Sequence, residues 1–145
     1  MRPRRSTEAE SRKKGISQDG SAMVEFALMA PVFLLLIFGI IEFSRVLLMY
    51  HHVGNAAREG SRYAIVHGST DNTATADEDD VRNYVRSISP LDPNNVNVSA
   101  EWPDGNKNPK SHVLVTVTYN FQFTLPALFG SGIPLTSTSE MVISY

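Results

Sequence analysis

The stretch SAMVEFALMAPVFLLLIFGII, residues 21–41, decides the architecture of this chain, because Glu25 is its single charged residue. A helix that crosses a membrane needs about 20 mostly apolar residues, whereas a helix buried in a soluble core carries a polar face. The stretch has the required length when Glu25 lies near one end, and from Phe26 to Ile41 it has no polar face. It therefore predicts one transmembrane helix.

A cleaved secretory signal peptide is the main alternative, since a basic segment precedes the apolar run. The apolar region of a signal peptide is about 7–15 residues long and ends at a small-x-small cleavage site. Here the run is longer and continues into Glu42-Phe43-Ser44-Arg45. Removal of the whole apolar segment is therefore not expected.

Charge is divided unevenly on the two sides of Gly20. The 145 residues have a net charge of −2 and no cysteine, which excludes a strongly basic nucleic-acid-binding protein, a disulfide scaffold and a thiol enzyme. Residues 1–20 carry six basic and three acidic side chains, whereas the other 125 residues carry seven basic and twelve acidic ones. The positive-inside rule then predicts a single-pass membrane protein with a cytoplasmic N-terminus and an extracytoplasmic remainder.

Helical patterning continues beyond the apolar run. Steps of three or four predict one stripe that consists of Phe43, Val46, Leu47, Tyr50, Val53, Ala57, Gly60 and Ala64. One helix over about residues 21–67 would be roughly 70 Å long. We expect Pro31 to kink this helix rather than to end it.

The remainder of the chain predicts a small α+β head. Residues 68–76 predict a loop. The acidic run 77–80 predicts the start of a short helix, because carboxylates are favourable at a helix N-terminus. The run does not have the spaced ligands of a calcium-binding loop. Period-two alternation predicts antiparallel strands over 96–102, 112–125 and 139–145, separated by the turn 104–109 and the loop 130–134.

The predicted organisation has four segments. They are a basic cytoplasmic leader (1–20, cleaved), a transmembrane helix (21–42), its extracytoplasmic continuation (43–68) and the α+β head (69–145).

The junction of leader and helix, Gly20-Ser21-Ala22-Met23-Val24-Glu25-Phe26, is the most informative motif. Cleavage after Gly20 would create an amino group on Ser21, four residues before the Glu25 carboxylate. A carboxylate just inside a membrane is costly, and an ammonium nearby in the same chain or in a neighbouring subunit lowers that cost. The alternative is that Gly20 marks the helix start and that Glu25 reaches the interface alone.

This junction resembles a type IV prepilin-like leader, in the order Gly20, four residues, Glu25-Phe26 and an apolar run that contains Pro31. The continuation IIEFSRVLLMYHHVGNAAREGSRYAIVHG (40–68) is similar to the TadE-like pseudopilins of tight-adherence (Flp-type) pilus systems, most specifically in AAREGSRYA (56–64). Asp19 departs from such leaders, which are more often basic before the glycine.

The resemblance implies a pilin-like layout and cleavage between Gly20 and Ser21 by a prepilin peptidase. It further implies that the mature protein stays anchored in the lipid bilayer of the cytoplasmic (inner) membrane, with its head extracytoplasmic (periplasmic). There it would work with other pilins, pseudopilins and pilus-assembly membrane proteins in adhesion or secretion.

Other polar residues of the long helix have two interpretations each. Arg58, Glu59 and Arg62 form either an inter-subunit ion-pair set or, more commonly, a solvated face. Glu42 and Arg45 form either a local pair at the headgroups, which is the preferred interpretation, or a contact with a neighbouring subunit. The small residues permit close packing, on the protein's own sheet in preference to another helix, and they are Gly54, Ala57, Gly60 and Ala64.

No motif predicts a metal site, a cofactor or an enzyme. The adjacent His51 and His52 point in different directions on a helix and do not share one ion easily. The first functional hypothesis is therefore a pseudopilin. The alternative is a single-pass, membrane-tethered binding module with no filament role, and a membrane-anchored hydrolase has no candidate residues.

Overall fold

The computed structural model describes residues 7–67 and 76–144, with side chains from Gly20 onward. Its helices are α1 (Thr7–Val66), α2 (Glu78–Ile88) and α3 (Pro126–Phe129), and its strands are β1 (Val96–Glu101), β2 (His112–Gln122) and β3 (Gly132–Val142). The predicted α+β class, with a long apolar helix followed by a short helix and an antiparallel sheet, is confirmed. The chain divides after Ile41 into two compact units. The loop predicted over 68–76 lies, except for Ala76, outside the described residues.

The first unit consists of the N-terminal part of α1. Pro31 lies inside the helix and does not end it, as predicted. Nearly all large apolar side chains from Met23 to Ile41 are exposed. Within the described residues, Gly20–Val66 is the one helical segment long and apolar enough to cross a membrane, and none of its most apolar window is buried. These properties fit a single-pass membrane protein.

The second unit is built around a three-stranded antiparallel sheet in the order β1-β2-β3. Alternate residues of the central strand, Val113, Val115 and Val117, are completely buried, and Val117 pairs with Val98 of β1. The helices α1 and α2 supply the other side of this core with Val53, Ala57, Val81 and Val85. One face of the sheet is thus covered by helices, as period-two alternation predicts.

Helix α2 begins where the acidic run predicts. Asp77 is its N-cap and accepts a 2.9 Å hydrogen bond from the Asp80 backbone N–H, while the Asp77 backbone N–H donates to Asp80 Oδ2 at 3.2 Å. This reciprocal capping box satisfies two donors at the helix start. The hydrogen bond from the Asp80 backbone, against a smaller opposing effect of burial, holds the pKa of Asp77 below its ordinary value.

The small residues of α1 pack on the protein's own sheet, which confirms the preferred interpretation. A Cβ at Gly60 would lie 2.9 Å from Val85 Cγ2 and 3.1 Å from Val115 Cγ1, so a methyl group has no room there. Ala57 and Ala64 are buried in the same core. Close approach of α1 to the sheet therefore depends on the small side chains in this part of the helix.

The predicted stripe is wrong in the first turns after the apolar run. Phe43, Leu47 and Tyr50 are exposed. Of the predicted residues in these turns, only Val46 packs against the head, and it does so together with Glu42 and Met49. The sequence carries apolar residues on two faces here, and the buried face contains a glutamate, which hydrophobic periodicity does not select.

Several strand boundaries also differ from the prediction, since β1 ends at Glu101 rather than residue 102 and β3 ends at Val142 rather than residue 145. Strand β2 ends at Gln122 rather than residue 125, because Pro126–Phe129 forms the short helix α3. Strand β3 begins at Gly132 rather than residue 139, so most of the predicted loop 130–134 is strand. The alternation in β3 is hidden because its inward positions include Ser137 and Ser139, which face α1. Ser139 Oγ lies 2.8 Å from Ser61 Oγ, in a hydrogen bond between the two elements.

Candidate functional site

The predicted leader junction lies within α1 and is accessible along its length. Gly20, Ser21, Glu25 and Phe26 are all exposed, and a Cβ placed on Gly20 would meet no atom within 4 Å. Ser21 and Glu25 are four residues apart on the helix and therefore share a face. An amino group at Ser21 would stand one helical turn from the Glu25 carboxylate.

Glu25 is the unusual residue of this junction. Large apolar side chains surround it in the sequence and are exposed in the structure, among them Val24 and Phe26. No side chain among the described residues forms an ion pair with it. A carboxylate in such surroundings is costly unless it reaches the membrane interface or pairs with a cation. Pro31, six residues further on, is exposed on the same apolar segment.

The charged residues in the second part of α1 form a solvent-facing group. Arg58 and Arg62 are exposed, and Arg62 Nη1 lies 3.7 Å from Glu59 Oε1. The Arg58 guanidinium has no ion-pair partner among the described residues. Gly60 lies between these residues in the sequence but faces the core. The arrangement leaves Arg58 and Arg62 available to a partner, and an exposed pair of this kind adds little stability.

A second polar group connects α1 to the end of β2. Its pair within α1 is predicted from the sequence, whereas its contacts with the end of β2 are not. Glu42 forms the predicted pair with Arg45, at 2.8 Å between Oε2 and Nη1. Its other oxygen accepts a 2.9 Å hydrogen bond from the Thr124 backbone N–H, and Arg45 also donates to Thr124 Oγ1. The Arg45 guanidinium lies 5.1 Å from the centre of the Phe121 ring. These contacts fix residue 124 beside Glu42 although the two residues are 82 positions apart.

The opposite end of the sheet carries a titratable pair. His112 Nδ1 lies 2.8 Å from Asp104 Oδ2, and the His112 backbone N–H donates to the same oxygen at 2.7 Å. The side-chain hydrogen bond to Asp104 raises the pKa of His112, against a smaller opposing effect of burial, and the charges of Asp104 and Glu140 add to the rise. The two hydrogen bonds from His112, backbone first, lower the pKa of Asp104.

This pair predicts a pH window for the stability of the hairpin that joins β1 and β2. The contribution of His112 is complete below the ordinary histidine pKa of about 6.5 and is lost as the pH rises through the raised value. The contribution of Asp104 is present above about 3.9 and is lost as the pH falls through the lowered value. An NMR titration of His112 should give a pKa above 6.5, and Asp104→Asn should lower it. Equal His112 pKa values in the two proteins would contradict the pairing.

The long apolar helix, the exposed leader junction and the segment that contains Arg58–Arg62 can now be compared with known proteins. Residues 20–62 match the TadE-like protein family. The resemblance expected from the sequence is thereby confirmed over these residues, and it implies involvement in the tight-adherence (Flp-type) pilus system. The match begins at Gly20 and includes Glu25, Glu42 and Arg62. No curated protein and no solved structure matches the chain.

Proposed function

We propose that this chain is a membrane-anchored minor pilin, or pseudopilin, that takes part in the assembly of a tight-adherence pilus and so in surface adhesion or secretion. The observation that carries the proposal is the TadE-like match over residues 20–62. Its first residue is the glycine that precedes the proposed cleavage site. An exposed apolar helix and an accessible Gly20–Ser21 bond support the same function.

The proposed topology follows from the charge distribution. Residues 1–20 carry the excess of basic side chains and stay in the cytoplasm. A prepilin peptidase at the cytoplasmic side of the inner membrane cleaves after Gly20, and the head lies on the extracytoplasmic side. The partners are this peptidase, other pilins or pseudopilins, and membrane proteins of the assembly machinery.

The apolar part of α1 would act both as anchor and as contact surface. Lipid surrounds its exposed side chains before assembly, and neighbouring helices replace the lipid in the assembled state. Helix association in a membrane has no hydrophobic driving force, so it depends on packing and on polar pairs. Glu25 is the polar group of α1 best placed for such a pair.

Cleavage after Gly20 tests the proposal directly. When the full chain is expressed with its cognate peptidase, the membrane-purified protein should begin at Ser21. The Gly20→Leu variant should remain an intact precursor, because a bulky side chain then occupies the position before the scissile bond. Intact-mass measurement and N-terminal sequencing give the result. The matched control is Gly39→Ala, at another helical glycine whose Cβ would meet no atom within 4 Å, and it should be processed normally. Retention of Met1 in the unaltered protein would contradict the proposal and favour a tethered binding module.

A further inference from the structure

Residues 123–133, which comprise the connection between β2 and β3 and the first two residues of β3, form an apolar tip at one end of the head. We call these residues the hairpin tip. Leu128 is 56% exposed and Ile133 is 39% exposed. The sequence contains no Asp, Glu, Lys or Arg from Ser111 to Ser139. An uncharged tip with exposed leucine and isoleucine is unusual for a surface that faces only water.

Three backbone N–H groups of the hairpin tip are satisfied by hydrogen bonds within it. The N–H groups of Leu128 and Phe129 donate to the Leu125 carbonyl oxygen at 3.0 and 3.1 Å, and the Gly130 N–H donates to the Pro126 carbonyl oxygen at 2.9 Å. Pro126 and Pro134 have no N–H to satisfy. A segment that leaves water needs its backbone groups paired in this way.

Aromatic packing holds the shape of the hairpin tip. The Phe123 ring lies 5.4 Å from the Phe121 ring in an edge-to-face contact and 5.9 Å from the Phe129 ring. Phe121 is buried. Leu128 therefore projects from a supported turn.

The hairpin tip lies beside the residue that follows the apolar run. Thr124 is tied to Glu42 and Arg45 by the hydrogen bonds described above, and Glu42 is directly bonded to Ile41, the last residue of the run. A span that ends near Ile41 places Glu42 at the level of the lipid headgroups. The hairpin tip shares that level because it is fixed to Glu42.

Most of the exposed side chains of α1 in the two turns beyond Glu42 are apolar, although Ser44 and Arg45 lie among them. Phe43 is 70% exposed and Tyr50 is 53% exposed, and Leu47 and Leu48 between them are about half exposed. The Glu42 side chain, by contrast, is only 5% exposed, because Arg45 and the hairpin tip cover it. The Glu42 carboxylate is thus covered by contacts within the head.

From the attachment of the hairpin tip to Glu42 we propose that the hairpin tip is a second membrane contact, in which Leu128 and Ile133 enter the headgroup–acyl boundary of the bilayer that α1 crosses. The occupant of this apolar surface is phospholipid. Arg45, whose side chain is 42% exposed, lies where it can reach lipid phosphates. The inference rests on the membrane anchoring in the proposed function. It adds that the head is held against the bilayer at two points rather than one.

Tryptophan quenching by brominated phosphatidylcholine tests this contact in the full chain. The chain has one tryptophan, Trp102, which follows β1 and belongs to the other end of the sheet, since Glu101 pairs with Leu114. Two reporters, Leu128→Trp and Phe33→Trp, are each made in a Trp102→Phe background. Vesicles contain one chain per many lipids, and the bromines lie near the headgroup end of the acyl chains for Leu128→Trp and Trp102, and near the middle of the bilayer for Phe33→Trp. Emission from Leu128→Trp should be quenched and blue-shifted, whereas Trp102 in the unaltered protein should be quenched little.

The two reporters separate failure of this inference from failure of the anchoring. Quenching at Phe33→Trp without quenching at Leu128→Trp overturns the hairpin-tip contact and leaves the anchor intact. Absence of quenching at both positions overturns the anchoring itself. Equal quenching at Leu128→Trp and at Trp102 overturns a contact confined to the hairpin tip. A blue shift at Leu128→Trp without quenching shows that protein, such as a second copy, covers the hairpin tip, and it also overturns the proposal.

Discussion

Gly60→Leu is expected to destabilise the head by about 3 kcal/mol or more, a large part of the stability of a small domain. A Cβ at this position already approaches Val85 Cγ2 and Val115 Cγ1 within 2.9 and 3.1 Å, and the next contact is with Val81 Cγ1 at 3.6 Å. The side chain of leucine adds three more carbon atoms. Because Val81, Val85 and Val115 are completely buried, none of them has solvent to move into. Either α1 must separate from the sheet or the core must rearrange.

Gly54→Ala is the matched control, since Gly54 lies on the same helix. Its added Cβ would come no closer than 3.9 Å to Ser137 Oγ, an ordinary contact. Alanine is preferred over glycine inside a helix by about 0.5–1 kcal/mol, so this variant should be as stable as the unaltered protein or more stable. Chemical unfolding in detergent, followed by Trp102 fluorescence because that residue lies in the head, measures both variants. Equal unfolding midpoints for Gly60→Leu and Gly54→Ala would show that α1 does not pack on the sheet at Gly60.

The elements that could be predicted from the sequence are those specified by local signals. The acidic run 77–80 predicts the start of α2 correctly, because both residues of the capping box, Asp77 and Asp80, lie within four positions. Strict alternation placed β2, whose inward valines differ clearly from their neighbours. Strand β3 was placed too late because its inward positions include Ser137 and Ser139. Small polar residues occupy these positions because α1 lies close to the strand there. The sequence of β3 does not indicate this, because the contacting residue of α1, Ser61, is about 80 positions away.

The candidate sites divide in the same way. The leader junction is a local pattern, since Gly20, Ser21 and Glu25 lie within six residues, so the sequence alone locates it. The contact of Glu42 with the Thr124 backbone N–H spans 82 positions, and a backbone donor leaves no signature in a sequence. Hydrophobic periodicity therefore assigned Phe43 to the buried face, where the structure has Glu42. A buried carboxylate that binds a distant backbone becomes visible only when the chain is folded.

Glu25→Ala is expected to leave membrane insertion intact and to abolish assembly with pilus components. Insertion should survive because alanine is easier than a carboxylate to place in a membrane. Assembly should fail because Glu25 has no ion-pair partner among the described residues, and in the proposed function it pairs with the amino group of Ser21 of its own or a neighbouring chain. Carbonate extraction measures insertion, and co-purification with tagged pilus components measures assembly. Glu25→Gln keeps the shape without the charge and should fail equally.

A second variant separates the proposed pair from a general effect of charge on α1. Glu59→Ala removes another carboxylate of the same helix, whose contact with Arg62 is long and exposed, and it should assemble normally. If the Ser21 amino group is the partner of Glu25, a precursor held uncleaved by Gly20→Leu lacks that partner already. Adding Glu25→Ala to Gly20→Leu should then cause little further loss, as expected for two changes that remove one interaction. Normal assembly of Glu25→Gln, or a full additional loss in the double variant, would show that the carboxylate does not act through the new N-terminus.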